Sequence, residues 1–160
     1  TYTPTAANAL TKSVVQVVNT QVVTSTTGTT LIPLDDTIPQ NTEGVEFMTL
    51  AIIPKSASNT LKIDVLVHVG SSANNTAMTA ALFQDTTADA ICVGSLNEDT
   101  DTFNQIHVTH YMTAGTTSST TFKVRVGGDG GGTFTLNGFG GVRKFGGVLA
   151  SSITITEYKV

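Results

Sequence analysis

Three histidines, one cysteine and a short acidic run are the side chains of this sequence with the most obvious chemistry. His107 and His110 lie three residues apart. On a helix that spacing would aim two imidazoles at one metal, whereas on a strand an odd spacing sends them to opposite faces. The surrounding segment, Ile106 to Met112, alternates apolar and polar residues, so the strand reading holds and no shared metal site is expected. His68 stands apart from both. Cys92 sits in the apolar run Ala90-Ile91-Cys92-Val93 without a histidine or basic residue nearby to favour a thiolate. It reads as a small buried hydrophobe, and as a lone cysteine it cannot form an internal disulfide. The run Asn97-Glu98-Asp99-Thr100-Asp101 spaces oxygen atoms as calcium loops do, with Asp99 and Asp101 as candidate ligands. It lacks the mid-loop glycine and distant glutamate of an EF-hand, and a solvated acidic loop is the simpler reading.

Two glycine-rich stretches could suggest phosphate binding. Gly127-Gly128-Asp129-Gly130-Gly131-Gly132 has neither the lysine nor the following helix that a phosphate loop requires. Its glycines are better explained by a turn, or by another subunit's backbone coming close. Residues 138–147 repeat the theme, and there Phe139, Arg143 and Phe145 could form an exposed contact patch. No Gly-x-Ser-x-Gly elbow is present, and aromatic residues make up only 6% of the chain, few for a polysaccharide-cleaving groove. No catalytic residue, no cofactor and no enzymatic activity are therefore expected. Asn74-Asn75-Thr76 is a formal N-glycosylation triplet.

The elements that would carry these residues are strands. The 160 residues suggest one domain with a core of its own. Helix signals are confined to Thr5–Lys12, too short to stand alone. Beyond it, β-branched runs alternate with turn residues. Strands are expected at Val14–Val23 with a break near Asn19-Thr20, at Thr29–Leu34, and at Val45–Ile53. Further strands are expected at Leu61–Val69, Ala77–Phe83, Ala90–Val93, Ile106–Met112, Thr121–Val126, Thr133–Asn137 and Ser151–Tyr158. Asp35–Gly44 reads as a long loop. This is an all-β pattern, a jelly-roll sandwich of about nine to ten antiparallel strands over residues 13–160, preceded by an arm at residues 1–12.

Charged residues form only 12% of the chain, about half the usual share. The net charge is −4, and threonine accounts for about one residue in five. Such a surface suits packing against neighbours more than repulsion from them. With no basic cluster beyond Arg143-Lys144, nucleic acid is not an expected partner, and no apolar run reaches the length of a membrane helix. Without an initiator methionine, the chain reads as processed or as a piece of something longer.

Several segments together resemble phage tail-fibre-like virion appendage proteins. They are Ser13–Val18, the strand–turn–strand Thr49–Ile63, the late hairpin at Thr109–Tyr111 and Ala114–Arg125, and the closing strand Ala150–Glu157. The resemblance implies a trimeric jelly-roll head like those of tumour necrosis factor and the complement globular heads. It implies a virion location and a role in host contact or particle decoration. A cellular extracellular filament subunit or adhesin, and a carbohydrate-binding module, are the alternatives. The expected partners are copies of itself, other virion proteins, and a host-surface glycan or protein. Val45–Ile53 and Ala77–Phe83 carry apolar residues at both parities. Phe47, Met48, Leu50, Ile52, Met78, Leu82 and Phe83 are accordingly expected at an oligomer interface. Tyr2 and Leu10 are the side chains by which the arm would dock on a neighbour.

Overall fold

The computed structural model describes residues 13–73, 76–98 and 103–160. Tyr2, Leu10, Asp99, Asp101 and the Asn74-Asn75 pair lie outside them. No helix among the described residues is long and apolar enough to cross a membrane.

Two antiparallel sheets face each other. The first is built on β4 (Thr60–Ser71), flanked by β7 (Phe103–Thr113) on one side and β12 (Ser151–Tyr158) on the other, with β1 (Val14–Val22) outside β12. Past Leu66, the place of β12 beside β4 passes to β9 (Phe134–Leu136), which pairs in turn with the two-residue β2 (Thr27–Gly28). The second sheet has the order β3 (Val45–Ile52), β8 (Thr120–Gly128), β5 (Thr76–Gln84), β6 (Cys92–Glu98). Eight long strands divided four and four between the two sheets in this order make an all-β jelly roll, as the sequence leads one to expect.

The strict alternation of β4 and β12 makes the core. Leu61, Ile63, Val65, Val67 and Val69, with Ile153 and Ile155, point inward and are buried. They meet Met48, Ile52, Met78, Leu82, Phe122, Val124 and Val126 of the second sheet. Each fully buried side chain of this size contributes about 1.5–3 kcal/mol.

The expected oligomer interface is corrected by this packing. Met48, Ile52, Met78 and Leu82 face the core of their own chain, and Phe47 and Leu50 pack partly against it. β3 is apolar at two successive positions because a bulge between Glu46 and Met48 inserts Phe47, so both Phe47 and Met48 turn inward. The other parity of β3, Ala51 with Ile53 just beyond the strand, is exposed. β5 is buried on both faces, but its second cover comes from the same chain. Residues 29–44 form a strap across the outer face of the second sheet, and Ile32 packs there on Ala81 and Phe83. Met48, Ile52, Met78, Leu82 and Phe83 are thus buried within their own chain, while Phe47 and Leu50 are half-buried.

Thr29–Leu34 is therefore part of an extended strap and not a strand. It is tied down where the Ile32 amide donates to the Gly128 carbonyl and the Gly44 amide to the Leu31 carbonyl. β1 runs unbroken through Asn19-Thr20, because the Asn19 side-chain amide donates to the Ile153 carbonyl and the Thr154 hydroxyl of β12. The strand expected at Ala90–Val93 begins at Cys92 and continues to Glu98, taking in Asn97. Cys92 is half-buried at the rim of the core, with its thiol 3.9 Å from the Thr109 carbonyl. A serine hydroxyl at this half-buried position can still reach water, so Cys92→Ser should shift unfolding stability by about 1 kcal/mol or less. A denaturant titration checks this.

Candidate functional site

Between Leu136, paired with Val69, and Ser152, paired with Leu66, the chain leaves the first sheet and returns. Asn137 closes the base of this excursion. It is fully buried with φ +52, a left-handed conformation that asparagine tolerates better than most residues. Its side-chain amide donates to the Val22 and Thr24 carbonyls at 2.8 and 3.1 Å. Its side-chain oxygen accepts from the Ser151 hydroxyl at 2.8 Å, and that hydroxyl oxygen accepts the His68 amide. Asn137's own backbone amide donates to the His68 carbonyl. One buried side chain thus joins the end of β1, β4 and the start of β12 to the base of the excursion.

Beyond it, β10 (Gly138–Phe139) and β11 (Val142–Arg143) form a small hairpin through Gly140 and Gly141. A 3-10 turn at Phe145–Gly147 follows. Gly140, Gly141, Gly146 and Gly147 all have positive φ, and so does Phe145, at +50. A left-handed phenylalanine is uncommon and costs conformational energy. This chain accepts that cost and leaves the ring 65% exposed, beside Val142 at 59% and Val148 at 83%. The Lys144 ammonium lies 5.9 Å over the Phe139 ring, and Arg143 is exposed. Residues 138–150 contain no acid. The tip is apolar and basic on a chain whose net charge is acidic. Of the three residues singled out in the sequence, Arg143 and Phe145 are exposed here, and Phe139 is half-buried under Lys144. Val142 and Val148 are additional members, hidden in the sequence because isolated valines among glycines carry no periodic signal.

A second exposed apolar group belongs to the strap. Leu31, Leu34 and Ile38 project from it, Leu34 being 64% exposed. Between them stand the exposed carboxylates Asp35 and Asp36. The Thr37 hydroxyl and backbone amide both donate to Asp35, holding its carboxyl below the ordinary value. Ile38, Pro39, Ala90, Ile91 and Val93 line a shallow cleft of about 260 Å³. Another cleft, of about 290 Å³, lies beside Asn41, Glu46, Lys123 and Arg125. Arg125 is engaged there, donating to the Glu43 and Gly44 carbonyls at 2.6 and 2.8 Å.

The histidines stay apart. His107 points outward on β7, while His110 is half-buried on the opposite parity. Burial holds His68 and His110 below the ordinary value of 6.5. Among the described residues no three His, Cys, Asp or Glu side chains gather as a metal site.

An eight-stranded jelly roll with a stapled excursion is the class this geometry defines. No protein-family model and no curated protein sequence matches the chain. Solved structures do show a likeness. A tumour necrosis factor, Eiger of S. frugiperda, aligns over 88% of this chain and 92% of its own at 10% identity, TM-score 0.48. The VP2 subviral particle of infectious bursal disease virus aligns over 91% of this chain and 41% of its own at 11% identity, TM-score 0.40. Tailspike protein 4 of bacteriophage CBA120 aligns over 76% of this chain and 18% of its own at 18% identity, TM-score 0.29.

Proposed function

We propose that this chain is a virion structural protein: a knob that assembles with copies of itself, as a trimer, on a tail fibre or capsid and meets a host surface. It performs no catalysis and needs no cofactor. The observation that carries the reading is how the phage-like segments fall on the fold. Ser13–Val18 leads into and begins β1, Thr49–Ile63 spans the end of β3, its turn and the start of β4, and Ala150–Glu157 covers most of β12. The segment read as a late hairpin instead crosses between the sheets, from the end of β7 in the first to the start of β8 in the second. The resemblance thus falls on framework strands and the turns joining them, and speaks to a shared scaffold more than to a shared contact surface. The low charge and the stapled apolar tip support a protein that works by contact.

Light scattering combined with electron microscopy of the purified chain tests this. A closed particle holding three chains of 16.6 kDa each is the expected result. A monomer at micromolar concentration would overturn the assembly reading. An open head-to-tail filament would favour an extracellular filament subunit instead. Binding to isolated glycans by the monomer alone would favour a carbohydrate-binding module.

A further inference from the structure

We infer that the excursion tip of one copy docks on the strap of the next, a heterologous contact that joins unlike surfaces of identical chains. This rests on the self-assembly reading and specifies its surfaces. Two observations meet in it. The first is apolar complementarity. Soluble proteins seldom leave large apolar side chains clustered in water. Here one set of exposed apolar side chains, Val142, Phe145 and Val148, stands on the excursion from the first sheet. Another, Leu31, Leu34 and Ile38, stands on the strap over the second sheet. The cleft beside Ile38, at about 260 Å³, is roomy enough for an aromatic ring or a valine.

The second observation is charge. The apolar tip is flanked by Arg143 and Lys144 with no acid near them in sequence, and the apolar strap carries Asp35 and Asp36 with no base near them. Tip against tip would set cation against cation, and strap against strap would set anion against anion. Tip against strap satisfies both pairs. Complementary charges of this kind select register and partner more than they add affinity. Because the two surfaces differ and lie on different sheets, each copy offers one of each. Repetition of such a contact closes into a ring where the rotation permits.

The test uses four variants of the chain and analytical ultracentrifugation at low salt, with circular dichroism to confirm the fold. The first is Arg143→Glu with Lys144→Glu, the second is Asp35→Lys with Asp36→Lys, and the third combines all four. Each two-residue variant should weaken association at least tenfold, and the four-residue variant should restore the wild-type mass. Val148→Asp gives a third break in the same contact and is read in place of any variant that loses its fold. If the wild type associates and the variants associate equally well, this contact is wrong and self-assembly stands. If the two-residue variants dissociate but the four-residue variant does not recover, the charges act elsewhere and the contact is also wrong. A monomeric wild type would overturn both readings.

Discussion

Replacing Glu157 with alanine should lower unfolding stability by about 3 kcal/mol, seen as a fall of about 6–12 °C in the thermal midpoint. Glu157 is wholly buried at the end of β12, on the inward parity of Ile153 and Ile155. Its carboxylate is met by four residues. The Asn59 and Gln16 side chains donate at 2.5 and 2.6 Å, the Lys55 amide at 2.8 Å, and the Ser56 amide at 3.3 Å. These donors bring β1, the turn after β3 and β12 onto one carboxyl group, so alanine would strand several donors at once. Burial alone pushes this carboxyl up, but the hydrogen bonds outweigh it and hold it below the ordinary 4.5. With the folded state binding its proton less readily than the unfolded state, the contribution is present above pH 4.5. It is lost as pH falls through the folded value. Glu157→Gln keeps the shape but turns an amide N–H toward donors, so it should cost about 2 kcal/mol. It should also abolish that acid-side loss. A Glu157→Gln variant with the wild-type acid midpoint would show that the carboxylate is not the group responsible. His68 and His110, held low by burial, add a separate loss that starts as pH falls below 6.5.

Much of this framework is legible in the sequence, for reasons that also mark where legibility stops. β4 and β12 each hide one face, so period-two alternation announces them. β3 and β5 depart from it for two different reasons that the sequence writes identically. In β3 a bulge shifts parity at Phe47, and in β5 a remote strap covers the second face. Apolar residues at both parities report burial without saying what does the burying, so a partner subunit is the natural expectation for β5 where the chain's own strap is the actual cover. The strap has no periodicity, so Ile32 gives no local sign that it will sit on Phe83. Glu157 left a readable sign in being a lone charge on the inward register of an alternating strand. The glycines of residues 138–147 read as turn formers, and Gly140, Gly141, Gly146 and Gly147 take the positive φ that turns require. Asn137, which anchors it, gained its role only from carbonyls more than a hundred residues earlier in the chain.

Gly127→Val should detach the strap. Gly127 lies in β8 outside the left-handed region, so the requirement for glycine is steric. A Cβ there would stand 2.7 Å from the Thr30 carbonyl oxygen and 2.8 Å from the Ile32 amide nitrogen. Both are backbone atoms, which cannot swing aside as the end of a side chain can. Valine must lift the strap, breaking the Ile32–Gly128 hydrogen bond and exposing Ile32 and the outer face of Phe83. Losing much of two large apolar burials and one hydrogen bond amounts to about 4 kcal/mol. Gly131→Ala is the matched control, since a Cβ at that position meets nothing within 4 Å. The valine variant should bind a hydrophobic dye that the control does not. Because Leu34, Asp35, Asp36 and Ile38 move with the strap, it should also lose self-association while its β-sheet circular dichroism persists. A Gly127→Val protein with wild-type stability would mean that the strap does not lie on β8 in solution. One that stays associated after the strap has lifted would place the contact between copies on some other surface.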